Sequence, residues 1–156
     1  MASADLTRVL EDGGIEYELL PHGHTESALA EAQALGVDPT EVAKTLVVQT
    51  PSGYARAVLP ASERLDLGKL GDSLGLAKKE LHLATEEALA RDYPEFDLGA
   101  VPPVGGSRRE PVVIDSRIAE RESIVLEAGS HDESIRVGRE ALVQLAGARV
   151  ADISQD

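Results

Sequence analysis

Apolar positions change their period several times along the chain. Leu6, Val9 and Leu10 recur at helical spacing and predict a first helix that stops at Gly13-Gly14. Ile15 to Leu19 alternates apolar and polar, as a half-buried strand does, and Pro21-His22-Gly23-His24 is expected to break it. Glu26 to Leu35 reads as a helix closed by Gly36, and Asp38-Pro39-Thr40-Glu41 carries a helix-start signature. Lys44–Gln49 and Tyr54–Leu59 are strand-like runs, predicting a hairpin across the four-residue turn Thr50-Pro51-Ser52-Gly53. Leu67, Leu70 and Leu74 mark a short helix, Leu81–Ala84 a short strand, and Thr85 caps a helix through Ala90. A Pro/Gly-rich loop runs from Pro94 to Pro111. Beyond it, Val112–Ile114, Ser123–Leu126 and Ser134–Val137 predict three more strands, Ala141–Leu145 a last helix, and Val150–Ile153 a return to the sheet. Helices do not alternate regularly with strands. The expected fold class is therefore α+β, a mixed, curled or barrel-like sheet flanked by helices, in one domain over residues 1–156.

Composition narrows the chemistry. The chain carries no cysteine, which excludes disulfides, thiolate zinc sites and a cysteine nucleophile and fits a reducing cytoplasm. Aromatic residues make up 3% of its 156 residues, too few for the stacking platforms of many RNA-binding surfaces. No targeting segment or membrane span is expected, because the N-terminus lacks a basic and an apolar region and every apolar run is short. A net charge of −13 argues against binding nucleic acid over a wide face. Phosphate-binding glycine motifs and the Gly-x-Ser-x-Gly elbow are absent. His22-x-His24 has no third ligand signalled nearby, so a polar turn is favoured over a metal site. Ser130-His131-Asp132 holds the triad residue types, but neighbours in sequence cannot converge as a triad, and the run reads as a polar loop. The paired cations Arg108-Arg109 and Arg136/Arg139 suit phosphates, although surface ion pairing is the commoner use.

Two features carry more. Lys44 opens a strand and precedes a continuous apolar run, so it is either a cation aimed into a pocket or a stem along the core with its ammonium in water. Gly99-Ala100-Val101-Pro102-Pro103-Val104-Gly105-Gly106 is stiffened by two prolines, and its glycines permit close backbone approach. It is either a cradle of N–H groups for a carbonyl oxygen or an ordinary tight connection.

Taken together, Val42-Ala43-Lys44-Thr45-Leu46-Val47-Val48, Leu59-Pro60-Ala61 with Leu65-Asp66-Leu67, the Leu98–Gly105 loop and Val113-Ile114-Asp115 resemble the bacterial YbaK/ProX family. Its members are aminoacyl-tRNA deacylases, and the family includes the editing domain of prolyl-tRNA synthetase. The likeness runs from about Tyr17 to Ile153. It implies hydrolysis of the ester that joins a wrong amino acid to the 3′ end of a tRNA, foremost a small residue such as alanine on tRNA for proline. Water attacks with help from the substrate's ribose hydroxyl, and neither metal nor cofactor is implied. Lys44, Gly99 and Pro103 take the catalytic positions. Thr45, Ala100, Val101, Pro102, Val104, Gly105, Asp115 and Ser130 take substrate-binding ones. The implied partners are the tRNA 3′ end and, as a recruiter, prolyl-tRNA synthetase; neither DNA nor a membrane is among them. Positive potential at the site is expected from Lys44, Arg108 and Arg109. The sequence departs from the family at Tyr93–Asp97, at Val104 and at Ala128–Asp132, where cysteine-removing members have a different run. The rival reading is a catalytically silent module of the same fold that binds an aminoacyl group or a synthetase.

Overall fold

The computed structural model describes residues 4–105 and 110–156; Arg108 and Arg109 lie outside them. Among the described residues eight strands form one mixed sheet: β1 Tyr17–Pro21, β2 Val42–Thr50, β3 Gly53–Pro60, β4 His82–Leu83, β5 Val112–Asp115, β6 Ser123–Glu127, β7 Glu133–Gly138 and β8 Arg149–Ala151. The path is β1-β7-β6-β2-β3-β5-β8, with β4 joined to β2. Around the sheet lie α1 Ala4–Asp12, α2 Ala28–Leu35, α3 Leu67–Leu74, α4 Glu86–Asp92, α5 Ser116–Ala119 and α6 Arg139–Ala146. The mixed sheet with flanking helices is the expected fold class. No described helix is long and apolar enough to cross a membrane.

Central strands bury both faces, and the core divides accordingly. Val58 and Ile114 point into a cluster with Leu6 and Leu10 of α1 and Leu142 of α6. Their neighbours Ala57 and Val113 point the other way, against Leu70 of α3 and Ile153. Period-two alternation between two apolar layers explains why these runs carry almost no polar residue. Side-chain caps start the helices where the sequence signals them: Ser27 accepts from the Ala30 N–H, Asp66 from Lys69 and Thr85 from Ala88.

Several boundaries differ from expectation for identifiable reasons. The β2–β3 turn has two residues, Pro51 and Ser52, because Thr50 pairs with Gly53. Pro21 ends β1 instead of breaking it earlier; β1 is an edge strand paired only to β7, where a missing N–H is tolerated. The Asp38 signature yields a single 3-10 turn, Pro39–Glu41, before β2 begins. Helix α5 was not expected; the Asp115 carboxylate caps its first turn through the Arg117 N–H. That carboxylate also accepts from the Ile153 N–H at 3.0 Å, and β8 ends at Ala151.

Candidate functional site

Strand β2 is where the sheet branches. One flank is covered along its length by β3. The other is shared: β6 pairs with Val42 and Ala43, and β4 with Val48 and Gln49. Lys44 to Leu46 therefore have no strand beside them on that flank. The Val47 carbonyl accepts from the Ala84 N–H there, and alternation turns the Thr45 N–H and C=O the same way. A cavity of about 280 Å³ opens in this gap. Lys44–Val47, Leu83 and Ala84 line it from the two strands, Glu127 from the end of β6, Ser27 and Ala28 from the start of α2, and Gly99 and Val101 from the loop.

The loop is held from beneath. Arg56 of β3 is 2% exposed. Its guanidinium donates to the carbonyls of Pro102 and Gly105, each at 2.8 Å, and to the Glu110 carboxylate at 3.0 Å. Its Cζ also lies 5.3 Å from the centre of the Tyr93 ring, whose hydroxyl donates to Glu110. Burial, Glu110 and that hydrogen bond push the Tyr93 hydroxyl well above its ordinary pKa. A rigid planar fork fixes both carbonyls at once, which no flexible side chain achieves as well. Above this clamp, Asp97 to Ala100 forms a turn closed by the Ala100 N–H on the Asp97 carbonyl at 3.0 Å. Gly99 sits at its third position with φ +79°, the conformation that favours glycine. His131 packs over it and meets the Leu98 carbonyl. Neither the Gly99 nor the Val101 N–H donates to any described residue.

The cavity is largely apolar, with two ionisable groups in its lining, Lys44 and Glu127. Lys44 is half-buried and makes no ion pair among the described residues. Burial lowers its pKa, Arg64 lowers it further, and Glu127 and Glu63 oppose the shift. Burial pushes the Glu127 carboxyl well above the usual carboxylate range, and the charge of Glu31 adds to the rise, against Lys44 and a hydrogen bond from the Thr45 N–H. Glu31 is raised by burial too, although it is bonded to Ser134, which in turn meets His22 Nε2 at 2.9 Å.

Of the sequence-named residues, Lys44, Thr45, Gly99 and Val101 line the cavity together. Ala100, Pro102, Pro103 and Gly105 form the body of the loop, and Val104 is part of the main core. Asp115 and Ser130 are not brought to the cavity. Asp115 is fully buried elsewhere, bonded to Arg117, Ile153 and Ser154. Ser130 donates to Asp132 within the β6–β7 turn, and His131 turns to Leu98, so the three form no triad. His22 and His24 bond to Ser134 and Glu26, not to a common point. Sequence reading missed Arg56 and Glu127. Each is a lone charge in an apolar strand run, and that interruption was the available signal.

The overall fold is shared with solved structures. The fold matches a "putative trans-editing enzyme for prolyl tRNA synthetase" with TM-score 0.83 and 29% identity over 100% of both chains. It also matches a hypothetical protein with TM-score 0.87 and 25% identity, over 97% of this chain and 99% of the other. A curated relative from Enterococcus faecalis, "Putative Cys-tRNA(Pro)/Cys-tRNA(Cys) deacylase EbsC", is 30% identical over 141 residues, covering 89% of this chain and 84% of the relative. The aminoacyl-tRNA editing domain family matches residues 22–145. The chain belongs to that family, a class of enzymes that act as aminoacyl-tRNA deacylases.

Proposed function

We propose that the chain forms one editing domain that hydrolyses the ester between a wrong, small amino acid and the 3′ end of tRNA, foremost alanine on tRNA for proline. The observation that carries this reading is that Lys44 and the Gly99–Val101 loop open onto one small apolar cavity. At about 280 Å³ it lies at the low end for ligand pockets, so a small side chain with its ester fills it. In this mechanism the unused N–H groups of Gly99 and Val101 polarise the acyl carbonyl and stabilise the oxyanion. Lys44 holds the terminal nucleotide by charge. Water is the nucleophile, positioned by the substrate's own ribose hydroxyl, which suits an ester already labile enough for positioning to suffice. Recruitment to tRNA in the cytoplasm, by the 3′ end alone or through prolyl-tRNA synthetase, accords with the acidic surface.

A second reading, removal of cysteine, is favoured by the name of the Enterococcus faecalis relative. A panel of correctly and wrongly charged tRNAs, followed for ester loss, separates the two. Selective loss of alanine from tRNA for proline is expected, and Lys44→Ala should slow it about thirtyfold, as for one charged contact of about 2 kcal/mol. Cysteine as the preferred substrate would replace the first reading by the second. Binding without hydrolysis would make the protein a silent module.

A further inference from the structure

Three buried side-chain oxygens among the described residues have no hydrogen-bond partner: Glu31 Oε1, Thr45 Oγ1 and Glu127 Oε2. Two of the three belong to residues at the cavity: Thr45 and Glu127 both line it. Glu31 is close enough for its charge to act on Glu127. Their residues are 3%, 7% and 7% exposed. A buried acceptor without a donor is costly, and natural interiors rarely keep one. A carboxyl oxygen and a hydroxyl on residues that line one cavity, with a second carboxyl near enough to act on the first, describe a receptor that lacks its donors.

Lys44 does not supply them, since it pairs with no described carboxylate. The substrate class assigned above does. An aminoacyl ester bears an α-amino group on the carbon next to its scissile carbonyl, with two or three N–H donors. Resting on the deacylase reading, we propose that Glu127, assisted by Thr45 and Glu31, receives the α-amino group of the aminoacyl ester. The loop then holds the carbonyl, and Glu127 holds the nitrogen two bonds from the carbonyl carbon. A carboxyl facing an amine and a carboxylate facing an ammonium contain the same proton, so the pair forms without changing the charge buried in the site. Lys44, and through Glu31 also His22 and His131, are the other titratable groups that act on this cluster.

The arrangement selects for a free amine. An ester whose nitrogen is acylated, as in peptidyl-tRNA, or replaced by a hydroxyl keeps a single donor and cannot become an ammonium, so most of the unpartnered acceptors stay unmet and such substrates are discriminated against. The test compares the best aminoacyl-tRNA of the panel with the same tRNA after nitrous-acid deamination to the α-hydroxy ester. Each enzymatic rate is divided by that ester's own rate in buffer, because the amino group also activates the ester chemically. Wild-type protein should accelerate the α-hydroxy ester at least tenfold less than the α-amino ester. Glu127→Gln should lose about tenfold on the α-amino ester and less than twofold on the α-hydroxy ester. Equal acceleration of both esters by wild-type protein, a comparison that needs no variant, would overturn the proposal, as would equal slowing of both by a folded Glu127→Gln. In either case the deacylase reading survives. Failure of wild-type protein to hydrolyse any ester would overturn that reading and this one with it.

Discussion

A single carboxylate shows how residue type and residue role come apart. Asp115 and Glu127 are both acids at strand ends, and both are buried. Asp115 has a full set of donors: the Arg117 N–H at 2.8 Å, the Ile153 N–H at 3.0 Å, the Ser154 hydroxyl at 2.9 Å and the Arg117 guanidinium. It ties β5 to α5 and to the segment that follows β8. Glu127 has one oxygen unmet and faces a cavity. The structural acid is the satisfied one. Asp115→Ala should therefore cost about 3 kcal/mol in urea unfolding, since several buried donors lose one acceptor. The rate per folded molecule should stay within about twofold. Unchanged stability with lost deacylation would restore Asp115 to the substrate site. Sequence alone could not sort the two acids, because two of the donors to Asp115 come from positions 38 and 39 residues further on.

At the scale of elements, the gap beside β2 makes the site, and its legibility was uneven. Lys44 and the glycine loop stood out because each breaks a local rule: a charge opening an apolar strand, and two prolines among glycines. The pairing that sets them side by side did not stand out. It depends on β6 and β4 sharing one flank of β2, a contact between segments about 80 and 35 residues away in the chain. Arg56 was hidden for the same reason, since its three acceptors lie 46 to 54 residues later. The clamp makes a definite claim about catalysis. Lysine at position 56 keeps the charge but cannot fork onto Pro102, Gly105 and Glu110 together. Arg56→Lys should lower stability by about 2 kcal/mol, because buried acceptors are left short of donors. It should also reduce kcat about tenfold with little change in KM, because a loosened loop misplaces its N–H groups in the transition state more than it weakens binding. Wild-type kcat in a folded Arg56→Lys protein would show that the loop orders itself without the clamp.

For the whole molecule, the constraint is charge. A protein of net charge −13 repels a polyanion at every face except where cations gather. Among the described residues, exposed Arg64 is the cation that acts on Lys44, and Glu63 beside it offsets part of the field. So sparse a basic patch suits one or two phosphates at the single-stranded 3′ end and little else. The salt dependence of kcat/KM measures that number directly. Two contacts to single-stranded RNA give a slope of about −1.4 in log kcat/KM against log salt, so raising salt fourfold lowers the rate constant about sevenfold. Six contacts would give a slope near −4 and a loss of several hundredfold. The shallow slope is expected, and Arg64→Ala should flatten it by about 0.7, one phosphate's share. If the slope is steep and Arg64→Ala leaves it unchanged, the tRNA is gripped elsewhere. If it is shallow and Arg64→Ala leaves it unchanged, Lys44 meets the phosphates without help. Shallow dependence on salt also serves the reaction, because an editing enzyme that grips weakly releases correctly charged tRNA before it can compete for it.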